Sequence, residues 1–317
     1  MAHKKKVLLI AGGGTLGTHV SAELLRLGCA VDVICLEDKN SDNPDLRFFQ
    51  HYATDDFLAE RFRETRYDGI VNFIHYPDPE VYKKVYPFLM ENTDHLIFLS
   101  SYRVYANEQH PITEEAPRLY DVVKDEYFLS TEDYAVPKSK CEDWLRSEHS
   151  GENWTIVRPV ISSSERRLDL LLYSGREILD NADKGISMPL PHFVKDFSAG
   201  MDWAGNSGKL IANLLFKPDA MGEAFTIYSG HGLTWGQLAD IYTELTGAKF
   251  HWTDTAEYEA FEYKTQGRDA WMWLYDRNFD RTIDNSKVLR VTGLSANDFT
   301  SVKDGLWHEI QLVRGKE

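Results

Sequence analysis

Cysteine is scarce in this sequence, with Cys29, Cys35 and Cys141 the three in 317 residues. A disulfide framework needs more cysteines, and none of the three stands at the spacing of a metal-ligand pair. The eleven histidines form no H-E-x-x-H or other metal-binding pattern. We therefore expect a reduced protein without a metal site.

Long apolar runs are also missing. The basic start of the chain leads into an apolar run at residues 7–11, which glycines then interrupt. A secretory signal needs about 7–15 apolar residues, and a membrane helix needs about 20. We therefore expect a cytoplasmic protein with no membrane partner.

Positive charge falls short of negative charge. Lys and Arg number 35 against 50 Asp and Glu, which gives a formal net charge of −15. A general polyanion binder gains its affinity from Lys and Arg, so this balance argues against a nucleic-acid partner. It leaves room for one small anionic ligand in a local pocket. With 43% hydrophobic residues, the chain has the composition of a globular protein.

The chain is rich in β-type apolar runs that alternate with helical stretches. This alternation predicts an α/β fold, in which a doubly wound parallel sheet is covered by helices on both faces. After Pro159 the regular alternation of strands and helices changes, and helices are expected at 168–182 and 235–246. The predicted strands are 7–11, 30–36, 69–74, 95–100, 154–158 and 224–228, and the predicted helices between them include 56–64, 79–92 and 134–148.

A glycine-rich turn follows the first predicted strand. Gly12-x-Gly14-x-x-Gly17 matches G-x-G-x-x-G between a strand and a helix. Glycines let the backbone turn sharply and let a pyrophosphate approach the helix N-terminus, where the amide dipoles favour negative charge. We therefore predict that Gly12, Gly14, Thr15, Leu16 and Gly17 bind a dinucleotide. The alternative is a turn that needs glycine for steric reasons alone.

An acidic residue is expected about 20 residues beyond this turn. Glu37 stands there, followed by Asp38. A carboxylate at this place would accept hydrogen bonds from the adenosine ribose and repel a 2′-phosphate, which favours NAD over NADP. Alternatively, Glu37 and Asp38 belong to a solvated loop.

Tyr134 and Lys138 lie four residues apart and therefore share one face of a predicted helix. A tyrosine with a pKa near 10 is a poor base at neutral pH, but a neighbouring ammonium group favours the phenolate. Earlier in the chain, the strand at 95–100 ends at Ser100 and Ser101, where an open parallel sheet places its site. Tyr-x-x-x-Lys by itself is also a common surface pairing.

Taken together, these motifs resemble the extended short-chain dehydrogenase/reductase family, in its NAD-dependent epimerase/dehydratase branch. The resemblance rests on the glycine turn at 12–17, Ser-Ser-x-x-Val-Tyr at 100–105 and Tyr-x-x-x-Lys at 134–138. It continues with Val-Arg-Pro at 157–159 and Asp-Asn-Ser-Lys at 284–287, and so runs over almost the whole chain.

The resemblance implies two lobes. A Rossmann-type NAD-binding domain would comprise residues 1–162, with residues 196–229 returning to it. A smaller substrate-binding lobe would comprise residues 163–195 and 230–317. Members of the family often form homodimers, here through the helices at 79–92 and 134–148.

The resemblance also implies a chemistry. Tyr134 would be the acid/base, Lys138 its activator and a ligand of the cofactor ribose, and Ser101 a hydrogen-bond partner of the reacting oxygen. The reaction would begin with hydride transfer from a carbinol carbon of a sugar or nucleotide sugar to NAD, while Tyr134 takes the hydroxyl proton. In an epimerase, an isomerase by outcome, the hydride then returns to the other face.

Substrate contacts are expected from Tyr102, Lys195 and Arg268. Lys195 occupies the place of a family Arg that supplies a cation to a substrate diphosphate, and Arg268 is a second candidate anion contact. Two other functions remain open at this point. One is a carbonyl reductase for a non-sugar substrate, and the other is a non-catalytic member of the fold that senses a dinucleotide or binds RNA.

Overall fold

The computed structural model describes residues 4–130, 134–147, 152–265 and 271–315. Within these residues, seven parallel strands form one sheet with the order β10-β6-β5-β4-β1-β2-β3. The strands are β1 (Lys6–Ile10), β2 (Ala30–Cys35), β3 (Leu46–Gln50), β4 (Tyr67–Asn72), β5 (Thr93–Leu99), β6 (Trp154–Pro159), β7 (Ile161–Ser163), β8 (Ser187–Pro191), β9 (Met201–Trp203), β10 (Glu223–Ile227) and β11 (Lys249–Thr253).

Helices connect the strands. The α-helices are α1 (Thr15–Arg26), α2 (Asp55–Glu64), α3 (Pro79–Glu91), α4 (Leu119–Val122), α5 (Glu126–Ser130), α6 (Ala135–Ser147), α7 (Gly175–Asp183), α8 (Ala204–Leu214), α9 (Trp235–Thr246), α10 (Thr255–Glu259), α11 (Ser286–Thr292) and α12 (Val302–Arg314). Short 3₁₀ helices cover Tyr102–Val104, His192–Val194, Pro218–Ala220 and Ala296–Asp298, and wider π-type turns cover Ala260–Thr265 and Trp273–Arg277.

The sheet is wound in two directions from β1. Strands β2 and β3 extend from one side of β1, whereas β4, β5, β6 and β10 extend from the other. A crevice opens outside the carboxyl ends of the strands where the strand order reverses, here between β1 and β4. The predicted doubly wound α/β fold is therefore confirmed.

Each face of the sheet carries its own apolar core. Helices α1, α8 and α11 pack on one face, and α2, α3 and α6 pack on the other. Gly208 lets α8 approach α1 closely, because a Cβ there would lie 2.5 Å from the His19 Cβ. A third core, built around Trp235, Tyr242 and Trp273, belongs to the part of the chain beyond the sheet. There β8 pairs with β11 and β7 with β9.

Two features differ from the sequence prediction. Strand β3 was not predicted, because its sequence LRFFQ lies at the edge of the sheet, is at most half-buried and includes the exposed polar residues Arg47 and Gln50. The helix predicted at 168–182 is wrong in its first half, since α7 begins at Gly175. Ser174 and Glu177 form a capping box that fixes this start, and residues before it form short bridges and turns. No described helix has the length and apolar character needed to cross a membrane.

Candidate active site

The glycine turn brings the chain from the end of β1 to the start of α1. Gly17 must lack a side chain, because a Cβ there would lie 2.2 Å from the Gly12 carbonyl oxygen. Gly14 is the N-cap of α1, and a Cβ built on it meets no atom within 4 Å. Ala11 has a φ of 57°, a left-handed conformation that favours glycine. The turn therefore keeps open space in front of the first amides of α1.

Two cavities meet at this turn, and both are lined by Ala11 and Gly14. The first has a volume of about 420 Å³ and extends to Ser101 and Tyr134. The second has a volume of about 440 Å³ and extends along the end of β2 to Glu37. Together they form a groove that passes over the N-terminus of α1. The first cavity is the more polar end of this groove, and the second cavity has largely apolar walls.

Ser101 and Tyr134 both line the first cavity. Strand β5 ends at Leu99, and Ser101 then caps the 3₁₀ turn by accepting a hydrogen bond from the Arg103 amide at 3.2 Å. Burial raises the pKa of the Tyr134 phenol above its usual value. The positive charges of Arg103 and Arg167 and the nearby Ser101 act in the opposite direction, because they favour the phenolate, but they do not outweigh burial.

Lys138 lies beneath this pair and is buried. Its ammonium donates hydrogen bonds to the carbonyl oxygens of Leu99 and, at 3.4 Å, of Ile74. It lies 5.8 Å from the centre of the Tyr134 ring. Burial lowers the pKa of Lys138 to about 8. The structure thus brings the predicted trio together, with Lys138 tied to two strand-end carbonyls.

Arg103 and Arg167 are functional candidates that the sequence reasoning missed. Both line the first cavity, and the guanidinium of Arg103 lies 5.3 Å from the centre of the Tyr134 ring. Arg103 stands two residues after Ser101, within the segment predicted to end at the site, so its position offered a signal. Arg167 precedes the stretch that was wrongly predicted as helix. It reaches the cavity through the path of the folded loop, which the sequence does not reveal.

The residues predicted to bind the cofactor either line the groove or lie beneath it. Thr15, Leu16 and Gly17 line the first cavity with Gly14. Gly12 lies beneath the turn, where a Cβ would meet the Leu9 side chain at 2.7 Å. Glu37 lines the second cavity and forms an ion pair with Arg166 at 3.1 Å. The Arg166 pair and backbone hydrogen bonding hold the pKa of Glu37 below its usual value, so it is a carboxylate.

The predicted substrate contacts fall in different places. Tyr102 lines the first cavity, where its hydroxyl donates to Asp276 at 3.1 Å and accepts from Arg277 at 2.8 Å. Lys195 lies over the Trp252 ring at 5.2 Å and does not line either cavity of the groove. Arg268 lies outside the described residues. Within the described ranges, no cluster of three or more His, Cys, Asp or Glu could hold a metal ion.

The sheet, the glycine turn and the groove over it define a Rossmann-type nucleotide-binding fold. No family model matches the chain. Among curated proteins, it is similar to UDP-glucose 4-epimerase of Lactobacillus helveticus, at 29% identity over 133 residues. This match covers 35% of the chain and 40% of the relative, so the chain spans less than half the length of the curated relative it matches.

Solved structures resemble the chain over nearly its whole length. Epimerase Mth375 from Methanothermobacter thermautotrophicus has a TM-score of 0.71 at 17% identity, covering 98% of this chain and 95% of that one. The Bordetella bronchiseptica enzyme WbmH, solved in complex with NAD+, has a TM-score of 0.69 at 16% identity and covers 99% and 100%. These matches confirm the Rossmann-type fold over nearly the whole chain.

The lowered pKa of Lys138 predicts a pH-dependent stability. Between pH 8 and 10.5 the unfolded chain holds this proton and the folded chain releases it, so the folded state gains stability as the pH rises. Relative to Lys138→Met, the free energy of unfolding of the wild type should increase by roughly 3 kcal/mol across this range. Urea unfolding at several pH values measures the difference, and a difference that stays constant would contradict the prediction.

Proposed function

We propose that this chain is an NAD-dependent oxidoreductase of the epimerase type that acts on a nucleotide sugar. One observation carries the proposal: Ser101 and Tyr134 line the same cavity as the open N-terminus of α1. A proton-transfer group and a dinucleotide cradle are thus close together, which is the arrangement that hydride chemistry on a carbinol requires.

The groove fits NAD by its shape and its donors. A side chain at Gly14 would project into the space before the α1 amides, which are suited to bind a pyrophosphate. The second cavity offers apolar walls for an adenine and the Glu37 carboxylate for ribose hydroxyls. Lys138 is buried beneath the other end and donates to the carbonyl oxygens of Leu99 and Ile74, so its proposed contact with the ribose would replace one of these hydrogen bonds. When bound, NAD accepts a hydride from the substrate carbon and can return it.

The residues of the chain supply the proton chemistry. Ser101 would donate a hydrogen bond to the substrate oxygen and orient the hydroxyl that reacts. The Tyr134 oxygen would take the hydroxyl proton during oxidation and give it back during reduction. The positive charges of Arg103 and Arg167 favour the phenolate that this role needs.

A nucleotide sugar is supported by the curated relative, whose name specifies a UDP-sugar, and by the epimerase fold neighbours. The part of the chain beyond the sheet contributes a wall of the first cavity through Arg167. We thus propose Tyr134 as the acid/base and a nucleotide sugar as the substrate. We also propose that the protein forms a homodimer.

Replacing Tyr134 with phenylalanine tests the acid/base role. Loss of the phenol oxygen should lower kcat about 10²–10⁴-fold, while NAD affinity stays near that of the wild type, because the ring and its packing remain. Turnover is measured over a panel of UDP, GDP and dTDP sugars, and NAD binding by calorimetry. Tyr127→Phe, at an exposed tyrosine of α5, is the control. Near wild-type turnover in Tyr134→Phe would refute the assignment of Tyr134 as the acid/base.

Two glycine variants separate cofactor binding from folding. Gly14→Val places a side chain in open space, so the protein should fold with an unchanged melting temperature and bind NAD at least tenfold more weakly. Gly17→Ala forces a Cβ against the Gly12 backbone, so it should lower the melting temperature as well. Wild-type NAD affinity in Gly14→Val, measured by calorimetry, would refute the cofactor site.

A homodimer would use the outer faces of α3 and α6, which pack side by side on the sheet. Val81 on α3 is an exposed apolar side chain, and Lys83 lies 3.6 Å from the centre of the Trp144 ring on α6. Sedimentation should give a mass of about twice 36.5 kDa, and Val81→Asp should convert it to a monomer. Ile186→Asp, at another exposed apolar residue, should leave the dimer intact. A monomeric wild type would contradict the proposal.

A further inference from the structure

A tight turn at residues 164–167, directly after β7, lies beside the cofactor groove. Its ends are joined by two backbone hydrogen bonds between Ser164 and Arg167, at 3.0 and 2.8 Å. The amide of Glu165 donates to the buried carboxylate of Glu309 on α12 at 2.7 Å. The path of this turn is therefore fixed by its own backbone and by α12.

The 164–167 turn contacts the glycine turn on both sides of the N-cap of α1. On one side, the hydroxyl groups of Ser164 and Thr15 are hydrogen-bonded at 2.9 Å. On the other side, Arg166 Nη1 lies 3.1 Å from one oxygen of Glu37. The second oxygen of this carboxylate would lie 2.2 Å from a Cβ at Gly13. The turn thus bridges the two cavities, because Thr15 lines the first and Glu37 lines the second.

Open space remains between this bridge and the start of α1. A Cβ at Gly14 would meet no atom within 4 Å, so the bridge does not fill the space before the first amides of the helix. Those amides are suited to bind one side of a pyrophosphate. The phosphate oxygens on its other side would face the 164–167 turn and would need a donor from there.

Arg166 is the residue of this turn that can supply such a donor. Its Nη1 is paired with Glu37, and within the described ranges the side chain forms no second hydrogen bond or ion pair. The remaining guanidinium nitrogens can therefore donate to an anion while Glu37 stays in place, and a guanidinium group suits the two-point binding of phosphate oxygens.

The charge of Arg166 also answers a problem that Glu37 creates. A carboxylate lying over the glycine turn would repel a pyrophosphate bound at the same turn. A guanidinium group at 3.1 Å from this carboxylate offsets the repulsion, so Glu37 can stay close to a doubly negative ligand.

Resting on the function proposed above, we propose that Arg166 binds the pyrophosphate of NAD from the side opposite the α1 amides. The 164–167 turn is then the second half of the cofactor site. Glu37 has two roles in this arrangement, since one oxygen holds Arg166 and the other is open to the ribose hydroxyl groups. The same turn carries Arg167 into the wall of the first cavity, so one rigid segment borders both the cofactor and the reacting end.

A double-mutant cycle tests this contact by binding alone. NAD affinity is measured by calorimetry in the wild type, Arg166→Gln, Glu37→Gln and the double variant. Arg166→Gln should weaken NAD about 10- to 100-fold at an unchanged melting temperature, because a charged contact is lost at a side chain that is 52% exposed. In the Glu37→Gln background, Arg166→Gln should still weaken NAD about tenfold or more, since the pyrophosphate contact does not depend on the carboxylate. Arg166→Lys keeps the charge without the planar fork and should recover part of the affinity.

The control is Arg176→Gln, which removes one positive charge from α7 at a side chain that is 90% exposed and should leave NAD affinity unchanged. If Arg166→Gln has no effect once Glu37 is replaced, Arg166 acts only by positioning Glu37 and the inference is overturned. Wild-type NAD affinity in Arg166→Gln also overturns it. Both of these outcomes leave the proposed function standing, whereas a wild-type protein that does not bind NAD would refute the proposed function as well.

Discussion

A buried ion pair between Glu142 and Arg158 joins α6 to β6 beside the candidate active site. Arg158 donates from Nε at 2.9 Å and from a terminal nitrogen at 2.6 Å to the two oxygens of Glu142. Its other nitrogen donates to the Tyr105 hydroxyl and the Glu114 carbonyl, each at 2.9 Å. Burial raises the pKa of Glu142, but the nearby guanidinium groups of Arg158 and Arg118 outweigh it and keep the group ionised. Loss of Glu142 would leave Arg158 as an uncompensated buried charge, which typically costs about 3–5 kcal/mol.

The geometry of the site depends on this pair because Lys138 precedes Glu142 by one turn of α6. The pair fixes α6 against β6, and so fixes the depth at which Lys138 meets the Leu99 carbonyl at the end of β5. Tyr134 directly precedes α6, so the position of the helix also places Tyr134 in the cavity that Ser101 lines. A buried structural network therefore sets the distances on which the proposed proton transfer relies.

The sequence predicts well those features that are determined by residues close together in the chain. The glycine turn and the pair of Tyr134 and Lys138 are local patterns, and the buried strands are continuous apolar runs, so their places could be found. Strand β3 could not, because an edge strand with Arg47 and Gln50 lacks that apolar run. Arg167 could not be placed either, since it reaches the cavity through a loop whose path tertiary contacts fix. The start of α7 at Gly175 had a local capping signal in Ser174 and Glu177, which the helical pattern concealed.

The net charge of the whole chain is negative, whereas the charged side chains that line its first cavity are positive. A net charge of −15 describes the surface, where salt screens interactions beyond about 10 Å. In the first cavity, by contrast, Arg103 and Arg167 both line the wall, and Asp276 is already matched by Arg277 and Arg281. Coulomb interactions weaken with distance and with water between the charges, so an anion in this cavity would interact with these two cations more strongly than with the acidic groups of the distant surface. The net charge of the chain therefore gives no measure of the charge that a ligand meets at the site.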